Sequence, residues 1–442
     1  MTIRMDEGAA ELLDTLHRAG YAAYVVGGCV RDSLLGLTPH DWDLCTSALP
    51  QQGMELFGAE KCIPTGLQHG TVTVKQGGGL YEITTFRTEG AYTDGRHPDE
   101  VHFVPDVRED LARRDFTINA MAYNAKEGLI DPFGGQADLQ SGILRAVGVP
   151  HQRFTEDALR ILRLYRFAAR FGFAIDPPTA QAAQELCAHL DCVSVERIEE
   201  ELAKLLSAPA PAAYLNEKIL SVVLPELSPE ALAAAKPVVD ACPAGERALP
   251  VRLAALLLSL GEDGTRRTLR RLRCSNACVE ETAVLVREIV SGVPGAFSSD
   301  TNRAIPSPAL LPAATGSHPS GRSSEKLPAR PPVSLNIYAR RLLGKYNLCT
   351  VQRLAALGTA LQPEHAADFA ALSELAEQLD ADGVCCRVSQ LAVNGRDLMA
   401  AGVPAGPGIR KVLEALLDGV IREEYPNERQ ALLAAVQQLA AS

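Results

Sequence analysis

The chain has 442 residues, enough for about three domains of the usual size. Its 47% hydrophobic and 22% charged content excludes global disorder, and a net charge of −11 argues against a uniformly basic nucleic-acid binder, leaving that question to local basic clusters. No apolar run is long enough for a helical membrane span, and eleven irregularly spaced cysteines without a signal-peptide core predict free thiols, no structural zinc and a cytoplasmic setting.

The first residues, MTIRMDEGAAELLDTLHRAG, read as an amphipathic helix. YAAYVV (21–26), GTVTVKQ (70–76), LYEITTFR (80–87) and EVHFV (100–104) read as strands, being β-branched or aromatic and bounded by turn residues. From about residue 151 the texture turns helical, with EDALRILRLYRFAARFGF and ERIEEELAKLL repeating apolar residues at helical spacing. Residues 291–340 hold 8 Pro, 9 Ser and 4 Gly and read as a flexible excursion. Helical patterning then resumes to the end of the chain.

The segment that suggests chemistry is YVVGGCVRDSLLGLTPHDWDLCTS. A strand runs into Gly27-Gly28, and a helix is expected from about Cys29, with Arg31 and Asp32 in its first turn. Paired glycines let backbone amides approach a phosphate, and Gly28 is the candidate for that approach. Thirteen residues beyond Gly28 stands Asp41-Trp42-Asp43. If that segment is extended, both carboxylates share one face, an arrangement that is costly without a divalent cation between them. Hard oxygen ligands suit Mg²⁺, and two such ions would serve phosphoryl transfer. Asp41 and Asp43 are therefore the candidate catalytic metal ligands. Glu82 is expected nearby as a third carboxylate, a group behind the ligands, or an ordinary strand charge. Arg31 suits triphosphate oxygens, or else a salt bridge to Asp32 or Asp41.

Gly27 to Asp32 followed by Asp41-Trp42-Asp43 resembles the signature of polymerase-β-type nucleotidyltransferases, in the spelling of class II tRNA nucleotidyltransferases and bacterial poly(A) polymerases. Further along, Arg113-Arg114-Asp115-Phe116-Thr117-Ile118-Asn119-Ala120 is similar to that family's RRDFT-x-NA motif. Asp131-Pro132-Phe133-Gly134-Gly135 is similar to its DPF-x-G turn, and Glu156 to Arg163 to its base-reading E-D-x-x-R-x-x-R helix. Glu196 to Leu202 resembles the helix that braces the reader. The C-terminal LAVNGRDLM and GPGIRKVLEALL look like the tail of bacterial CCA-adding enzymes.

The resemblance implies an α+β polymerase-β-like nucleotidyltransferase head, a small mixed sheet with helices, followed by an all-α neck, body and tail. The expected divisions are a head over 1–150, a neck over 151–210, a body over 211–290, an insertion over 291–335 and a tRNA-binding tail over 336–442. It implies addition of CCA to the tRNA 3′ end from CTP and ATP, with Mg²⁺. Asp115 would accept from the sugar 2′-OH, Arg113 or Arg114 would contact the triphosphate or brace the pocket, and Asn119 would orient a loop or the sugar. Asp157 and Arg160, read as i and i+3 on one helix, would accept C and A and reject U and G, with Arg163 joining the pocket; a plain surface ion pair is the alternative. The loop 88–99 is associated in this family with the switch from C to A addition. Arg266, Arg267, Arg270, Arg271 and Arg273 are the candidate RNA contacts. No protein partner or membrane is implied. An A-adding enzyme, a poly(A) polymerase and a non-catalytic RNA-binding protein are the competing readings.

Overall fold

The computed structural model describes residues 2–90, 101–291 and 334–439, so most of the loop 88–99 and of the insertion 291–335 lie outside the described residues. Two units are distinguished, residues 1–225 and 226–442.

The first unit opens with α1 (Glu7–Arg18), which buries Ala9, Leu12, Leu13 and Leu16 along one stripe. Asp6 caps it, accepting from the amides of Gly8 (3.1 Å) and Ala9 (3.3 Å), donors that a helix start would otherwise leave unpaired. The sheet that follows is built from β1 (Ala23–Val26), β2 (Leu44–Thr46), β3 (Cys62–Gly66), β4 (Thr71–Gln76), β5 (Gly79–Thr85), β8 (Ala122–Asn124) and β9 (Gly128–Ile130). Their order is β3-β4-β5-β2-β1-β8-β9. Only β2 and β5 run parallel. The sequence AYVV of β1 is buried at all four positions, as a strand near the sheet centre requires. Strands β6 (Arg87–Glu89) and β7 (Val101–Phe103) form a separate antiparallel ribbon.

Helices α2 (Gly28–Leu34), α3 (Pro50–Phe57), α4 (Val107–Ala112) and α5 (Gly135–Ser141) lie between these strands in the chain. Tyr24, Val26, Cys45, Phe86, Leu111, Ala122 and Val147 form one apolar core. Beyond it come α6 (Pro150–Glu156), α7 (Leu159–Phe171), α8 (Pro177–Glu185), α9 (Val195–Leu206) and α10 (Glu217–Val223). A two-residue parallel pair, β10 (Ile143–Leu144) with β11 (Ala174–Ile175), joins the head to this helical stretch. Phe116 of the head meets Phe167 of α7 edge to face, with centroids 5.9 Å apart.

The mixed head followed by helices agrees with the expected fold class. The four strands read from the sequence occur within one or two residues of their expected bounds; β2, β3, β6, β8, β9, β10 and β11 were not anticipated. β2, β8 and β9 have three residues each, too few to show a period.

The second unit is helical: α11 (Pro229–Ala241), α12 (Leu249–Leu257), α13 (Gly261–Arg271), α14 (Asn276–Val290), α15 (Leu335–Lys345), α16 (Leu348–Leu361), α17 (Ala366–Ala381), α18 (Gly395–Ala400), α19 (Gly408–Ile421) and α20 (Arg429–Leu439). Helix α12 buries nearly every residue; all are apolar except Arg252, which donates to the Cys242 carbonyl at 3.2 Å. Leu398, Leu416, Val420, Leu432 and Val436 bring α18, α19 and α20 together. No described helix is long and apolar enough to cross a membrane. All eleven cysteines are free.

Candidate active site

Strand β1 ends at Val26, and Gly27 turns the chain with φ +78° into α2, which starts at Gly28. A Cβ on Gly27 would stand 2.9 Å from Nη1 of Arg114, so glycine is needed here both for the dihedral and for the approach of that guanidinium. Cys29, within the same turn, donates its thiol to the Val26 carbonyl at 3.4 Å. Burial pushes that thiol up to about 11, which makes it packing rather than a nucleophile.

Asp43 immediately precedes β2, and its carbonyl accepts from the Val26 amide at 2.9 Å. The parallel register pairs Leu44 with Ile83, which sets Glu82 of β5 beside Asp43. Asp41, Asp43 and Glu82 are all solvent-exposed residues. Partial desolvation pushes the Asp43 carboxyl up, Arg114 pulls it down, and Glu82 and Asp41 add to the rise. Among the described residues no three His, Cys, Asp or Glu side chains converge as a complete metal cluster. The set fits Mg²⁺, which takes one or two carboxylates and completes its shell with phosphate oxygens and water.

Arg31 is turned inward. Its side chain is 5% exposed and is held by Asp32 (2.7 Å) and by Asn119 Oδ1 (2.6 Å). Its guanidinium lies over the rings of Phe167 (5.3 Å) and Phe171 (4.9 Å). Of the two readings of Arg31, the structure shows the salt bridge to Asp32.

Asp115 is nearly closed off. Oδ1 accepts from the Phe116 amide (2.8 Å) and Asn119 Nδ2 (3.0 Å), and Oδ2 from Arg163 Nε (2.9 Å) and Nη2 (2.7 Å). Arg163 also reaches Glu201 of α9 at 3.5 Å. Burial alone would raise the Asp115 carboxyl; Arg163, Asn119 and Arg160 outweigh it and hold it at about 2. A carboxylate held below its unfolded value stabilises the fold above that value. This contribution, about 2 kcal/mol, is lost as pH falls from about 5 toward 2. The stability difference between the wild type and Asp115→Asn is therefore expected to shrink between pH 6 and pH 3. Denaturant unfolding at each pH checks this, and a constant difference would contradict the Arg163 pairing.

The structure corrects one expectation. Asp157 and Arg160 do not sit on one continuous helix. α6 ends at Glu156, Asp157 takes an extended conformation (φ −144°, ψ 104°), and α7 starts at Leu159. The physical reason is local: the Asp157 carboxylate accepts from the Leu159 amide at 3.0 Å, competing with the helix as short acidic side chains do. The pair is anchored separately. Arg197 of α9 grips Asp157 at 2.8 and 3.3 Å. Arg160 bonds Glu156 (2.7 Å) and the carbonyls of Arg153 (3.0 Å) and Arg113 (3.1 Å).

Arg113 is hydrogen-bonded to Asp110, at 3.0 and 2.8 Å, whereas Arg114, ion-paired with the same carboxylate at 3.5 Å, is the member of the doublet that stands at the Gly27 turn and acts on Asp43. Arg197 and Asp110 received no role in the sequence reading, and Arg114 was there an alternative to Arg113. Their adjacency to Asp115 and Glu196, and the three- and four-residue steps from Asp110 to the two arginines, were the available signals.

In the second unit, the arginine run on and after α13 is largely neutralised. Arg266 pairs with Glu262 (2.8 Å) and Glu280, Arg270 with Glu280 (3.2 Å), and Arg271 with Glu226 (2.7 Å). Arg267 is exposed, and Arg273, also exposed, has a left-handed φ of 57°.

A family model described as the poly(A) polymerase head domain matches residues 23–145. Another, described as a probable RNA- and SrmB-binding site of polymerase A, matches 172–230, and a tRNA nucleotidyltransferase domain 2 model matches 334–436. The CCA-adding enzyme of Geobacillus stearothermophilus is 35% identical over 438 residues, covering 96% of this chain and 95% of the relative. The chain belongs to the CCA-adding enzyme family, a family of nucleotidyltransferases. A Lactiplantibacillus plantarum CCA-adding enzyme is 50% identical over 210 residues, 48% of this chain and 51% of the relative, so in that match the chain spans about half of its relative. A crystal structure of the Bacillus stearothermophilus CCA-adding enzyme in complex with CTP superposes with a TM-score of 0.77 at 30% identity, covering 99% of this chain and 98% of that one. The Thermotoga maritima CCA-adding enzyme shares the fold, with a TM-score of 0.66 at 21% identity over 99% and 97% of the two chains.

Proposed function

We propose that this member of the CCA-adding enzyme family adds C, C and A to the tRNA 3′ end from CTP and ATP, releasing pyrophosphate, without a nucleic-acid template. The observation that carries the reading is the grouping of Asp43 with Asp41, Glu82 and Arg114 at the Gly27–Gly28 turn. The B. stearothermophilus enzyme, solved in complex with CTP, supports the nucleotide class.

Asp41 and Asp43 would hold Mg²⁺, with Glu82 adjacent. When bound, Mg²⁺ supplies charge stabilisation at the phosphoryl oxygens and activates the attacking hydroxyl. Arg114 meets the triphosphate beside the turn, where a guanidinium matches phosphate oxygens. Arg31 acts from beneath by fixing Asn119. Asp157, oriented by Arg197, accepts from the exocyclic amino group of cytosine or adenine, and Arg160 donates to the ring acceptor. Uracil and guanine would instead set a carbonyl against the Asp157 carboxylate and a ring N–H against the Arg160 guanidinium, a mismatch that is costly in a desolvated site. A ribose 2′-OH would reach Asp115 only by replacing one of its present donors, so Asp115 serves first to hold Arg163 and Asn119.

Transcripts ending before CCA, after C and after CC, each offered single labelled nucleotides with Mg²⁺, test this. C, C and one A on tRNA alone is the expected result. A added only to the CC-ending transcript would make this an A-adding enzyme. Long A tracts on an unrelated RNA would move the assignment to poly(A) polymerase, the activity named by the head-domain family model.

A further inference from the structure

Asp110 lies on α4 and is fully buried. Its Oδ1 accepts from Arg113 Nε (3.0 Å), Arg113 Nη2 (2.8 Å) and the Arg87 backbone amide (3.3 Å). Its Oδ2 stands 3.5 Å from Arg114 Nη2, an ion pair without a hydrogen bond. Burial of a carboxylate is unfavourable unless cations offset it, and here two adjacent arginines do so. The two pairs differ in kind. Arg113 spends Nε and Nη2 on Oδ1. Among the described residues Arg114 pairs with Asp110 through Nη2, its buried Nε has no hydrogen bond, and its Nη1 lies at the Gly27 turn. Thus one end of Arg114 is fixed and the other is presented beside Asp43. The same carboxylate ties down Arg87, the first residue of β6, so the ribbon and the arginine share one anchor.

We propose that Asp110 is a positioning residue for triphosphate binding: it holds Arg114 against the Gly27–Gly28 turn, where Arg114 meets the phosphates. This rests on the reading of the site as a nucleoside triphosphate site. Asp110 touches no substrate; it also anchors Arg113 and Arg87, but its effect on phosphate binding passes through Arg114, so that effect vanishes when Arg114 is absent.

Trp42, between Asp41 and Asp43, is the sole tryptophan of the chain and provides a local fluorescence probe. The full chain is titrated with Mg²⁺-tripolyphosphate and with Mg²⁺-CTP as wild type, Asp110→Asn, Arg114→Gln and the double variant. Asp110→Asn is nearly isosteric and is expected to weaken tripolyphosphate binding about tenfold and to raise KM for CTP more than it lowers kcat. The double variant is expected to be no weaker than Arg114→Gln. Wild-type affinity in Asp110→Asn, or losses that multiply in the double variant, would overturn the role of Asp110. A wild type without saturable tripolyphosphate binding would remove the phosphate site and the proposal with it. If Asp110→Asn does not unfold cooperatively, Arg114→Lys decides. Lysine keeps the charge but cannot span from Asp110 to the turn, and is expected to lose as much as Arg114→Gln; retained affinity would overturn the proposal.

Discussion

Asp43→Asn is expected to lower transfer of both CMP and AMP to tRNA by at least about 10³-fold, corresponding to a loss of about 4 kcal/mol of transition-state stabilisation. Asp43 stands where β1, β2 and β5 bring Glu82 beside it, and it is the residue whose carboxyl responds to Asp41, Glu82 and Arg114 together. The substitution removes one negative charge from a solvent-open cluster and leaves the backbone bond to Val26 in place. Stability and tRNA affinity are therefore expected to stay near wild type, measured by thermal unfolding and gel shift. Transfer within tenfold of wild type would take Asp43 out of the reaction centre. Transfer and tRNA binding lost together would point instead to a folding defect.

Asp157→Ala is expected to act on choice of base. The carboxylate accepts from the Leu159 amide at the start of α7 and from Arg197, and on the proposed reading it also presents an acceptor to the base. Loss of the cap costs about 1 kcal/mol of stability. Loss of the acceptor is expected to lower kcat/KM for CTP and ATP by roughly 10²-fold while UTP and GTP change much less, so the selection ratio collapses. Arg197→Met, which frees the carboxylate without removing it, is expected to lie between the two. Single-nucleotide incorporation rates for all four nucleotides measure the ratio. An unchanged ratio in Asp157→Ala would confine Asp157 to its cap.

Several features were legible from residues alone because they are local. The Gly27-Gly28 turn, the Asp41 and Asp43 pair, the run of β-branched residues in β4 and the apolar stripes of α7 and α9 all follow from spacing within about one turn or one strand. The same holds for the sharp change in texture near residue 151. Strand order was not legible, since placing β5 beside β2 and β8 beside β1 depends on which buried faces meet. Which of Arg113 and Arg114 stands against the Gly27 turn was hidden for a similar reason. Both are four residues or fewer from Asp110, and only the packed position of Gly27 shows which guanidinium remains directed at Asp43.

Charge pairing between distant residues was settled entirely by tertiary structure. Arg31 reads in the sequence as a phosphate ligand or as the partner of Asp32 or Asp41, and its bond to Asn119, 88 residues away, comes only from the fold. Asp115 reads as an open acceptor, yet Arg163 fills it from 48 residues away. The five arginines following Thr265 read as a basic face, yet Glu226 and Glu280 neutralise three of them. What the sequence by itself determined was local spacing: Asp41 and Asp43 two residues apart, the paired glycines of the Gly27-Gly28 turn, and Asp157 and Arg160 three residues apart. What only the tertiary structure decided was which of these charges remain free to meet a substrate, because a buried ion must find its counter-ion wherever the fold brings one.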